Sequence, residues 1–180
     1  MRTRHFTTLT ALSAAALLAL TGCSAGASGT TAEITPAGSE VSITDGWVKA
    51  ADSGMSAAFG ELENTGTEDV TVVSATSAAS SELELHETVA NESGEMVMRA
   101  KENGFTIPAG GSLDLAPGGN HIMLMDLTEP IVAGDEVTVT LTFSDDSTTE
   151  FTVPARDYAG ANENYEGGDM DMDMDMGGEG

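Results

Sequence analysis

Six side chains between His86 and Met125 carry the chemistry of this chain: His86, Met96, Met98, His121, Met123 and Met125. Imidazole with thioether is a donor set suited to Cu(I), because thioether sulfur is soft and neutral and offers nothing to Mg, Ca or Mn, whereas imidazole accepts copper in either oxidation state. In an extended strand, residues two apart share a face. His121 and Met123 therefore form a ready bidentate pair, and Met96 and Met98 share a face for the same reason. His86 ends an alternating run in which Leu83 and Leu85 take the side opposite to Glu82, Glu84 and His86. Three strands that converge their ends would offer these donors to one ion, and geometry alone leaves open whether Met96 or Met98 supplies the central thioether. A single strand histidine is more often hydrogen-bonded than ligating, and strand methionine usually fills core. The combination is what argues for a metal.

The same inventory excludes other chemistries. A blue-copper electron carrier needs a Cys thiolate in its equatorial set, and the chain has one cysteine, Cys23, far from the histidines. Catalytic zinc takes His, Glu and Asp with an open water position. No His-Glu-x-x-His or phosphate-cradling loop occurs, so the expectation is a non-enzyme that binds and releases. Thirty acidic residues stand against six basic ones in the 180-residue chain. Nucleic acid is an unsuitable partner for such a surface.

The elements that must position these residues follow from the rest of the pattern. Residues 1–22 read as an export signal: Arg2 and Arg4 precede the apolar run Leu9 to Leu20, which is short for a membrane span. The run closes on Leu20-Thr21-Gly22-Cys23, similar to a bacterial lipobox, and Cys23 is the expected lipidation site, with acyl chains holding the protein on a membrane. Residues 23–38 are small and polar and read as a flexible, lipid-anchored linker. Without Arg2 and Arg4, four basic residues remain (Lys49, Arg99, Lys101, Arg156) against thirty acidic ones, a formal charge of −26. A second cysteine is absent, so no intrachain disulfide supports the fold.

From 39 to 155 the chain alternates with period two between turns rich in Gly, Asn, Asp and Ser, which predicts an all-β domain. Strands are expected at Val41–Val48, Ala57–Glu63, Val70–Ser74, Glu82–Val89, Glu95–Ala100, Phe105–Ile107, Ser112–Leu115, His121–Asp126, Glu136–Phe143 and Thr148–Val153. Their number and size fit one Greek-key β-sandwich. Residues 156–180 lack core-forming periodicity and read as a disordered Met/Asp-rich tail. In an extended tail Met170, Met172, Met174 and Met176 line one side and the intervening aspartates the other. That suggests an auxiliary arm for Cu(I), with carboxylates for Cu(II).

Three phrases carry a family resemblance: Met96-Val97-Met98-Arg99, Ile107-Pro108-Ala109-Gly110-Gly111 and Pro117-Gly118-Gly119-Asn120-His121-Ile122-Met123-Leu124. Between about Val41 and Val153 the chain resembles the PCuAC-type periplasmic copper chaperones, which implies a cupredoxin-like sandwich. The resemblance also implies Cu(I) ligands His86, Met98, His121 and Met123; the Met-x-Met-Arg phrase favours Met98, and the departure in spacing leaves Met96 open as its substitute. The spacings, twelve positions from His86 to Met98 and twenty-three from Met98 to His121, are each one residue longer than the family's common pattern. The extra residues are expected in the loops at Glu92–Gly94 and Lys101–Gly104, where insertion is cheap.

Trp47 is expected as buried packing rather than a lid over copper, and Met125 as core or as support for the ligands rather than a fifth ligand; Met55 is not counted as part of the site. Neutral donors on a rim formed by loops would hold Cu(I) and surrender it to thiolates by ligand exchange. The resemblance implies an extracytoplasmic, lipid-anchored metallochaperone serving the CuA centre of cytochrome c oxidase, with subunit II or a thiol copper chaperone as partner. The competing expectation is a copper-sequestering tolerance lipoprotein without a dedicated acceptor. A β-sandwich adhesion module with an incidental His/Met cluster would bind no copper tightly.

Overall fold

A computed structural model describes residues 35–160 and the backbone of 164–165. Among the described residues the strands are β1 (Val41–Lys49), β2 (Ser56–Asn64), β3 (Val70–Thr76), β4 (Leu83–Ala90), β5 (Met96–Ala100) and β6 (Phe105–Ile107). They continue as β7 (Ser112–Leu115), β8 (His121–Leu124), β9 (Glu136–Phe143), β10 (Thr148–Arg156) and β11 (Asn164–Tyr165). The alternation read from the sequence reproduces ten of them to within a few residues. One layer runs β5-β4-β8-β2-β1 and the other β10-β9-β3-β6, with β7 beside β8 along β2. A short parallel pairing of Val48 with Ala155 and Lys49 with Arg156 joins them, and it carries β10 past the expected Val153.

The inward faces of the two layers make the principal core. Leu62, Leu85, Ile122 and Leu124 come from the first layer and Val72, Phe105, Val139, Leu141 and Phe143 from the second. Burying each large apolar side chain stabilises the sandwich by roughly 1.5–3 kcal/mol. β9 shows the logic plainly: Val137, Val139, Leu141 and Phe143 point inward while Glu136 and Thr138 face water, the alternation of an antiparallel sheet with one wet face.

β1 does not keep a single alternation. Ile43 packs on the core and Val48 is buried in it, although five positions apart they belong to opposite faces of a regular strand. The register with β2 breaks between Thr44 and Trp47, where Asp45 takes φ 51°. This is a β-bulge, one extra residue on one strand that rephases the side chains beyond it. Gly60 on β2 faces the bulge with φ 145°, and a Cβ there would lie 2.8 Å from the Gly46 Cα. The bulge turns Val48 inward and Trp47 outward.

Other departures have local causes. β8 ends at Leu124 rather than Asp126, because the Asp126 amide donates to Ser80 Oγ and the chain turns there. The segment expected as linker ends in order: Ala37–Ser39 forms one 3-10 turn, the Ala37 amide donates to Asp145 Oδ2 and the Gly38 amide to Ser147 Oγ. The segment expected as a disordered tail also begins in order. Tyr158 packs edge-on against Trp47, Lys49 Nζ donates to the Gly160 carbonyl, and β11 pairs in parallel with β5. The signal, Cys23 and Met170, Met172, Met174 and Met176 lie outside the described residues. Among the described residues no helix is long and apolar enough to cross a membrane.

Candidate metal centre

The expected donors stand on the outward face of the first layer, on the side of the sheet away from the principal core. In the β4–β8 ladder His86 lies opposite His121 and Glu84 opposite Met123. These four side chains share one face and form a two-by-two patch, with opposite Cβ atoms about 5 Å apart. β5 adds Met98, opposite Thr88 and therefore diagonal to His86. β2 adds Ala57, opposite Met123, and Phe59 two residues on. Met98, Met123, Ala57 and Phe59 make a second apolar cluster, against which Trp47, Met55 and Met125 pack. The structure thus brings together His86, Met98, His121 and Met123, while Met96 is 52% exposed at the start of β5.

The donors were expected on a loop rim, and the structure corrects this. They stand on paired strands and are buried, from 0% exposed for His86 to 7% for Met123. Cross-strand registry holds side chains more rigidly than loops, and Phe59 and Trp47, with ring centroids 4.6 Å apart, wall the patch on the β2–β1 side. Trp47, expected as buried packing, is half-buried and packs beside the donors rather than in the principal core.

His121 is set up to offer Nε2. Its Nδ1 lies 3.1 Å from the Gly119 carbonyl, which can only accept, so in the neutral ring the proton sits on Nδ1. Nε2 then turns a lone pair toward Met98 Sδ at 2.8 Å. Thioether has no proton to give. Donors about 2.0 Å (N) and 2.3 Å (S) from a tetrahedral d10 ion stand roughly 3.5 Å apart, so the pair needs to spread by less than about 1 Å to admit one. Among the described residues no group of three or more His, Cys, Asp and Glu side chains is placed to hold a metal.

One residue escaped the sequence reading. Glu84 Oε2 stands 2.6 Å from His86 Nε2, with the glutamate side chain 30% exposed and the imidazole fully buried. The alternation had put Glu84 on the face of His86 but gave no reason to separate it from a solvated carboxylate. Arg99, within the Met-x-Met-Arg phrase, is not part of the patch. It donates to Glu87 Oε1 from Nη2 at 3.0 Å while Lys101 reaches Glu87 Oε2 at 2.5 Å, and these two cations hold the Glu87 carboxyl below its ordinary range.

Residues 41–155 match the family model named "Putative lipoprotein LpqE-like". The chain belongs to the LpqE-like lipoprotein family. It is 51% identical over 154 residues to "Putative lipoprotein Lxx21020" of Leifsonia xyli, covering 86% of this chain and 92% of that protein. Among solved structures, the PCuAC domain of PmoF1 superposes with TM-score 0.56 at 18% identity, covering 66% of this chain and 95% of that one. At that identity the likeness speaks for the fold alone, and the fold is the cupredoxin-like sandwich of PCuAC domains. The Cu(I) form of DR1885 from Deinococcus radiodurans is 25% identical with TM-score 0.51, over 74% of this chain and 87% of that one. The expected PCuAC-type membership stands.

Proposed function

We propose that this chain is an extracytoplasmic, non-catalytic metallochaperone, anchored through lipid on Cys23, which holds Cu(I) on His86, Met98, His121 and Met123 and passes it to a copper-accepting protein. The expected acceptor is the CuA centre in subunit II of cytochrome c oxidase, either directly or through a thiol chaperone. The observation that carries the reading is the convergence of two imidazoles and two thioethers on one sheet face, with His121 Nε2 and Met98 Sδ 2.8 Å apart. Four neutral donors suit a soft monovalent ion and leave it exchangeable by thiolate. The likeness to a protein solved with Cu(I) supports the cargo, and the lipoprotein family supports the location.

The test is anaerobic Cu(I) titration against a chromophoric competitor, on the chain from Ser24 and on its His121→Ala/Met123→Ala double variant. Tight binding of one ion at the folded site, lost in the variant while weaker binding by the Met/Asp run persists, is the expected result; equal, weak binding in both would overturn the reading. Deleting the protein should impair oxidase assembly in copper-poor medium. Copper sensitivity with intact oxidase would identify a sequestering lipoprotein instead.

A further inference from the structure

Each buried histidine has a ring nitrogen against an oxygen acceptor, and the two use different nitrogens. His121 is held at Nδ1 by the Gly119 carbonyl, and His86 is held at Nε2 by the Glu84 carboxylate at 2.6 Å. A carboxylate accepts and does not donate, so the bridging proton belongs to the imidazole: His86 is the Nε2–H tautomer, and its lone pair is on Nδ1. Ligating histidines commonly give their other N–H to a carboxylate or carbonyl, which fixes the ring and raises the basicity of the ligating nitrogen.

We infer that Glu84 is a positioning residue of the copper site, holding His86 so that it binds Cu(I) through Nδ1 while His121 binds through Nε2. The inference rests on the copper reading above and adds to it a residue and a choice of nitrogen. Register supports it independently of the hydrogen bond, because Glu84 is the cross-strand neighbour of Met123 and completes the patch formed with His86 and His121. Its partial exposure places the carboxylate at the margin of the buried donors. One consequence is geometric. Nδ1 is nearer the backbone than Nε2, so an ion held by His86 Nδ1 and His121 Nε2 sits closer to β4 than to β8.

The test uses the soluble chain from Ser24, with Glu84→Gln and Glu84→Leu. Long-range proton–nitrogen correlation spectra of the metal-free protein are expected to show His86 as the Nε2–H tautomer and His121 as the Nδ1–H tautomer. One equivalent of Cu(I) should then move His86 Nδ1 and His121 Nε2. Glu84→Leu should lower Cu(I) affinity roughly 10–100-fold, while Glu84→Gln, whose amide oxygen still accepts from Nε2–H, should recover most of that loss.

A His86 Nδ1–H tautomer in the metal-free chain, a copper shift at His86 Nε2, or unchanged affinity in Glu84→Leu would each overturn the inference. Should the leucine variant fail to fold, the tautomer and copper shifts of the wild-type chain still decide it. Failure of the wild-type chain to bind Cu(I) would overturn the copper reading itself. The metal-free tautomer distinguishes that outcome from a wrongly assigned hydrogen bond.

Discussion

His121 Nε2 and Met98 Sδ face one another across 2.8 Å with electron pairs on both sides, so Met98 is the thioether with which to separate ligand from filler. Met98→Leu preserves volume and apolar packing, and such a swap costs less than about 1.5 kcal/mol. It should nevertheless lower Cu(I) affinity by at least the roughly 10–100-fold that loss of an outer-shell partner costs a metal site. Met96→Leu, at an exposed position on the same strand, should leave affinity unchanged. Competitor titration of the two variants reads both, and a larger loss in Met96→Leu would move the ligand along β5. The histidines and methionines were legible in the sequence because His and Met so spaced are uncommon in a strand and have a shared chemistry. Glu84 was not, because a carboxylate in alternation with leucines is also what any wet strand face carries. Only the 2.6 Å approach to His86 sets it apart.

Single strands do not make this site; their registry does. Alternation revealed where the strands run, but it carries no information on which strand lies beside which, and so placed the donors at strand ends instead of across the β5-β4-β8 face. It also missed the bulge at Asp45–Gly46, since one inserted residue leaves the composition of a strand unchanged while reversing its faces. That bulge orients Trp47 toward Phe59, whose ring centroid lies 6.0 Å from that of His121. Gly60→Ala tests the arrangement. A Cβ at φ 145° and 2.8 Å from the Gly46 Cα should cost about 1–3 kcal/mol of stability, read as a lower midpoint in urea with an unchanged slope. An unaltered midpoint would show that the bulge tolerates a side chain and that Trp47 is placed by other contacts.

On the scale of the whole chain, the last described residues lie beside the site. After β10 the chain packs Tyr158 on Trp47, and β11 then pairs Asn164 with Val97 and Tyr165 with Met98. No periodicity announced this return, because a two-residue pairing is too short to leave a pattern. The backbone pairing brings the chain to β5 five residues before Met170, which supports the proposal that Met170, Met172, Met174 and Met176 gather copper for the folded site. Their thioethers are soft donors for Cu(I), and the intervening aspartates attract cations generally. A chain ending at Tyr165 keeps Tyr158 and β11 and removes only the Met/Asp run, so its domain should unfold at the same temperature as the full chain. The full chain should bind more than one Cu(I) and load the His86/His121 site faster at limiting copper, while the shortened chain should bind one. Equal stoichiometry and equal loading rates would reduce the run to an acidic surface that holds the protein in solution.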